Sequence, residues 1–209
     1  MLHEATPATL AGGCQRFTPY PASLRPISNI TIDELSRLYA RRRSVRWFED
    51  RPVPSRLIRR VVTAALSAPS ACNRQPYRFV AATGRETSSA IAGCAGGTAG
   101  FAQQIPAVVV VVGDLSAYPL ERDRHLIYID ASLASMQLML AAETLGLATC
   151  PINWPDIAKT DKCLIDLLDL RAYERVVMLL AVGYAQSEGA VPYSSKKGLG
   201  LMLQWCGEE

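Results

Sequence analysis

Apolar residues recur at helical spacing early in the chain. Thr31-Ile32-Asp33-Glu34 reads as a capping box, so a helix is predicted to start at Thr31, with Ile32, Leu35, Leu38 and Tyr39 on one face. Pro52-Val53-Pro54 is a break. A second helix carries Leu57, Ile58, Val61, Val62, Ala65 and Leu66 on one stripe, and Pro69 stops it. The pattern then changes. Residues 77–82 read as a strand, and a short helix and a glycine-rich turn, Gly93 to Gly100, lead to the five valines of 108–112. Such a run suits a strand buried on both faces. Residues 113–125 are polar and read as a loop. A long helix is predicted over 126–145, capped by Gly146, followed by a strand at 147–153, a helix at 156–168 and an apolar strand at 176–182. The tail from Val191 carries Lys196 and Lys197 before a last apolar segment.

Helices precede and separate the strands, which predicts an α+β fold with a small central sheet flanked by helices. Residues 1–30, rich in Pro, Ala, Thr and Ser, read as an irregular arm. With no repeat and no linker, 31–209 is expected to be a single domain. The apolar stretch 126–150 contains Asp130, Gln137 and Glu143 and reads as a buried helix, not a membrane span.

Composition narrows the function. A net charge of +3 does not argue for nucleic acid, yet eight of the 22 Lys and Arg residues lie between Arg41 and Arg60. A cluster that local points to an anion site or an exposed helix face. Six cysteines include no C-x-x-C pair, so a metal site is not indicated. Residues 1–30 lack a basic start followed by an apolar core, so reduced thiols and a cytoplasmic location are expected.

Two motifs carry the chemistry. Arg41-Arg42-Arg43-Ser44-Val45-Arg46 places arginines and a serine at a helix end. That arrangement suits a phosphate, although arginines there also favour the negative end of the helix dipole, and the run also resembles a kinase target or a nuclear-type basic patch. Pro69-Ser70-Ala71-Cys72-Asn73-Arg74-Gln75-Pro76 is sharper. It crowds Ser70, Asn73, Arg74 and Gln75 between apolar elements, where polar groups need partners. Together the motifs suit a phosphorylated cofactor with a polar ring edge, which describes FMN. The turn 93–100 is not G-x-G-x-x-G, but it allows backbone to approach a ring closely. Only His3 and His125 are present, which disfavours hydrolysis; an enzyme here would draw its reactive centre from a cofactor.

These motifs resemble those of the nitroreductase-like FMN-dependent oxidoreductases, over roughly residues 31–206. Leu145 to Cys150 and Val176 to Tyr184 are similar to that family's Leu-Gly-Leu-Gly-Thr segment and its late strand ending in Gly-Tyr. The resemblance implies an interlocked homodimer with FMN at the subunit interface. Arg42, Arg43, Ser44 and Arg46 of one subunit would bind phosphate, ribityl and the pyrimidine side. Pro69, Ser70, Asn73 and Gln75 would come from the other. Pro151, Ile152 and Asn153 would border the ring, and Lys196 or Lys197 would complete the phosphate site. Asn153-Trp154 and Lys196-Lys197 depart from the family's usual acidic-Gly pair and Lys-x-Arg. The implied activity is ping-pong hydride transfer from NADPH or NADH to a small organic acceptor, with no side chain acting as nucleophile. A reduced-flavin dehalogenase, a flavin-fragmenting relative and a non-catalytic flavin-binding sensor are the alternatives.

Overall fold

The structure, a computed structural model, describes residues 19–207. Its sheet has four strands in the order β1-β2-β4-β3, with every neighbouring pair antiparallel. The strands are β1 (Tyr77–Thr83), β2 (Ala107–Asp114), β3 (Ala148–Asn153) and β4 (Glu174–Gly183). Among the described residues six α-helices surround or flank them: α1 (Ile32–Arg41), α2 (Ser55–Ala65), α3 (Arg85–Gly93), α4 (Leu126–Thr144), α5 (Ala158–Leu168) and the one-turn α6 (Leu199–Met202). The α+β expectation therefore holds, and the predicted elements appear with ends shifted by a few residues. The 113–125 loop contains two short 3-10 turns, at Leu115–Ala117 and Glu121–Asp123.

The valine run explains the layering. Successive side chains on a strand face opposite ways. Val108, Val110 and Val112 join one core with Ile91, Leu164 and Leu179, beneath α3 and α5. Val109 and Val111 join the other, with Val61, Ala134 and Leu138 from α2 and α4. The sheet is thus covered on both faces, and its middle strand has no polar side.

Local signals set the element ends. Thr31 Oγ1 accepts from Glu34 N at 3.2 Å, and the Glu34 carboxylate accepts from Thr31 N at 2.8 Å, closing the capping box. At the end of α4, Gly146 has φ +72°; its N–H donates to Glu143 O and that of Leu147 to Ala142 O, a Schellman cap. Gly183 closes β4 where a Cβ would stand 2.6 Å from Phe48 and Pro106, which accounts for glycine at that position.

Two expectations change. Cys94 and Cys163 form a disulfide, so not all thiols are reduced; Cys72, Cys150 and Cys206 are free among the described residues. The apolar face of α1 is not buried: none of its residues is, and Ile32 and Tyr39 stand exposed. Segment Glu121–Thr144 is long and apolar enough to cross a membrane by length and composition, but α4 packs centrally against α2 and the sheet. Its outer stripe, Ile129, Leu133 and Met136, remains exposed at 50, 44 and 37 %. In the predicted arm, residues 1–18 lie outside the described residues, and 19–30 form an exposed strand-free segment with one 3-10 turn.

Candidate functional site

The arginine motif begins where α1 ends. Arg42 is the C-cap, its N–H bonded to Leu38 O at 3.1 Å. The chain then runs along β3: Ser44 bridges Thr149 in parallel, and Val45 N donates to Thr149 O at 3.0 Å. Arg41 Nε meets the buried Glu143 carboxylate of α4 at 3.1 Å. Burial pushes the Glu143 carboxyl above its usual range, while Arg41 and Arg42 pull it down. Two polar atoms of this stretch are buried without a partner, Arg42 Nε and Thr149 Oγ1. Orphaned donors beside a cationic cluster fit an anion such as a phosphate.

Farther along the same edge lies a cavity of about 410 Å³, lined by Arg46, Gly96, Gly97, Phe101 and the strand residues Cys150 to Asn153. Of the residues that the resemblance implies for the cofactor site, Arg46, Pro151, Ile152 and Asn153 line this one cavity. The Arg46 guanidinium lies 5.9 Å from the Phe101 ring centroid. Burial pushes the Cys150 thiol up, against the opposing pull of Arg46 and Arg42, so it stays protonated at neutral pH. Cys150 is a wall residue and not a nucleophile.

The second motif is a strained turn. Cys72, Asn73 and Gln75 have φ of 52, 53 and 49°. Of these residue types only Asn commonly adopts that region, so the turn holds conformations that cost energy and are often kept for a ligand. Ser70 Oγ accepts from Gln75 N at 3.0 Å. Ala71 N and the Tyr118 hydroxyl both donate to the buried Asp130 of α4, at 3.1 and 2.8 Å. Burial first, then the Asp130 hydrogen bond and charge, push the Tyr118 hydroxyl up to about 12, so it remains a donor. Arg74 reaches Ala117 O at 2.5 Å. Pro69, Asn73 and Gln75 themselves are exposed, with Ser70 half-buried.

Within one chain the two motifs do not meet. The first follows β3 and the second leads into β1, at opposite edges of the sheet, roughly 14 Å apart across three strand spacings. Both are tied to α4, one at Glu143 and one at Asp130. Thirteen residues of helix separate these anchors by roughly 20 Å. Lys196 and Lys197 are not drawn in either. They are exposed, and the one side-chain bond shown for them among the described residues is Lys196 Nζ to Ser194 Oγ at 3.1 Å.

The sequence did not foresee a larger cavity of about 660 Å³, lined by Tyr118, Tyr128, Trp154, Arg124 and Asp161 among others. Several of its polar groups are already partnered: Arg124 with Glu121 at 2.6 Å, and Asp161 with Trp154 Nε1 at 2.6 Å. The smaller cavity, continuous in sequence with the orphaned donors, is the better cofactor candidate. The aromatic lining comes from three separate segments, so no local motif announces it.

A family profile described as "Nitroreductase family" matches residues 39–96 and 88–184. A protein of Archaeoglobus fulgidus, provisionally named NADH dehydrogenase/NAD(P)H nitroreductase, is 29 % identical over 162 residues, covering 75 % of this chain and 88 % of its own. The FMN reductase [NAD(P)H] of Bacillus subtilis is 26 % identical over 174 residues, covering 76 % and 69 %. A nitroreductase-type crystal structure from Desulfovibrio desulfuricans, in complex with FMN, superposes with a TM-score of 0.71 at 23 % identity, covering 86 % of this chain and 100 % of that one. That likeness is one of fold.

Proposed function

Since this chain belongs to the nitroreductase family, we propose that it is an FMN-dependent NAD(P)H oxidoreductase that acts as a homodimer, with each cofactor held between two subunits. The observation that carries this reading is the split site: two motifs, each incomplete, fixed on one helix roughly 20 Å apart. A second copy packed against the bare stripe of α4 supplies the missing half, and the exposed face of α1 supplies further apolar surface. The names of the relatives support the cofactor and the donor. The Bacillus subtilis relative is an FMN reductase using NAD(P)H, and the Desulfovibrio structure contains FMN.

The residues present fit FMN. Arg42, with its orphaned Nε, would hold the phosphate, helped by Arg43 and Ser44. Lys196 or Lys197, both exposed, would complete the phosphate site. Pro151, Ile152 and Asn153 would wall the ring, and Arg46, oriented by Phe101, would set a positive charge at its pyrimidine side. Pro69, Ser70, Asn73 and Gln75 of the second copy would close the site against water. When bound, FMN would supply the redox chemistry needed for hydride transfer between a nicotinamide donor and a small organic acceptor. The chain's own contribution is binding, orientation, a fixed positive charge and water exclusion. No side chain of the site is placed as a nucleophile.

The purified protein is expected to release FMN on denaturation at about one per chain, and to lose its yellow colour when NADPH or NADH is added without oxygen. Release of FAD, or no flavin even after reconstitution, would contradict the proposal. Binding without bleaching would identify a flavin-binding protein that does not turn over.

A further inference from the structure

We propose that the Cys94–Cys163 disulfide is a thiol-exchange clasp that joins the two walls of the Arg46 cavity and makes cofactor retention responsive to dithiol reductants. The proposal rests on the flavin reading above for its effect on affinity, but not for its effect on the walls.

The two cysteines stand behind opposite walls. Cys94 caps α3 and leads at once into Gly96 and Gly97, which line the cavity together with Phe101. Cys163 lies on α5, which follows the other wall, Asn153 and Pro155. Asp161, two residues before Cys163 on α5, accepts the Trp154 indole N–H at 2.6 Å and so ties α5 to the residue next to Asn153. The bond joins positions 69 residues apart in sequence.

Between its buried anchors Ala95, Thr98 and Phe101 the glycine wall is bare: Gly96 and Gly97 are exposed, and a Cβ on either would touch nothing within 4 Å. The turn's main internal anchor is Thr98, whose hydroxyl bonds Ala92 O and Ala95 O at 2.7 and 2.8 Å. On α5, Leu164 is the one buried side chain. Exposed stretches between such anchors open locally more readily than the core beside them unless cross-linked. Release of the clasp would free Gly96 and Gly97 to move against the α5 wall.

Access favours exchange. Cys163 is exposed and Cys94 half-buried. A thiolate of a dithiol attacks the Cys163 sulfur, forming a mixed disulfide, and the Cys94 thiolate leaves and is protonated. The second thiol of the reductant then displaces Cys163. Two electrons and two protons pass to the protein, giving two cysteine thiols, and the dithiol becomes a disulfide.

The test titrates FMN into the full-length protein with and without dithiothreitol, counts thiols, and follows amide exchange in segments 95–101 and 154–162. Reduction is expected to release two thiols, to weaken FMN binding about tenfold, equivalent to about 1.4 kcal/mol, and to speed exchange in both segments while far-UV circular dichroism stays constant. Cys163→Ala, at an exposed position, and Cys94→Ser should show the weaker affinity without dithiothreitol and no further response to it. Thiol release with unchanged affinity and exchange would overturn the clasp, as would absence of the disulfide from air-oxidised protein. If FMN binds in neither state, the cofactor reading fails and exchange alone decides: faster exchange on reduction upholds the clasp, and equal exchange overturns it.

Discussion

Replacing Arg42 with alanine is expected to weaken FMN binding by roughly 10- to 150-fold, the equivalent of about 1.5–3 kcal/mol for a charge-assisted contact. The apoprotein should unfold at nearly the same temperature. Arg42 caps α1 through its backbone, and its Nε has no partner within the chain, so the side chain's absence costs the fold mainly its share of the positive charge near Glu143, which Arg41 still supplies. Arg41→Ala is the contrasting variant. It removes the ion pair from Glu143, whose carboxylate is buried, and should lower stability more than it lowers flavin affinity. Fluorescence titration of FMN and a thermal melt of the apoprotein separate the two. Equal FMN affinity in Arg42→Ala and the parent would reduce the arginine motif to a helix end.

A larger effect is expected from Leu133→Glu. Leu133 sits in the middle of the exposed stripe of α4, between Ile129 and Met136, and makes no contribution to either core. A carboxylate there costs the single chain little. Pressed against a second copy, it would be a buried, unpaired charge, at a cost of several kcal/mol. Light scattering should report a folded monomer, and FMN affinity should fall by more than about 100-fold, because neither chain then has both halves of a site. A monomer that binds FMN as the parent does would place the whole site within one chain.

The elements most easily read in the sequence are those whose cause is local. The Thr31–Glu34 box, the 108–112 valine run and Gly146 each specify an end or a face through neighbours a few residues away. Arg46 and Pro151 to Asn153 were implied together by the family resemblance, and they line one cavity because the Ser44–Thr149 bridge sets the arginine run beside β3. Other features depend on contacts distant in sequence. Nothing in the spacing of six cysteines selects Cys94 and Cys163, which meet only because α3 and α5 cover the same face of the sheet. The positive φ of Cys72 and Gln75 goes against their residue types and is imposed by Ser70 and Asp130 around them. The separation of the two motifs depends on the strand order β1-β2-β4-β3, which motif order along the chain does not reveal.

The shared site is tested most directly by complementation. Arg42→Ala damages the half-site on α1 and β3, and Asn73→Ala damages the turn before β1. Each homodimer then has two defective sites. Co-refolding the two variants gives heterodimers in which one site carries both defects and the other carries neither. With random pairing, about a quarter of all sites in the mixture should be intact, and FMN binding should return to about that fraction of the parent capacity, since a ligand touching both chains binds only where both halves are whole. No recovery in a mixture shown by mass spectrometry to contain heterodimers would contradict the account, because each site would then be built from one chain.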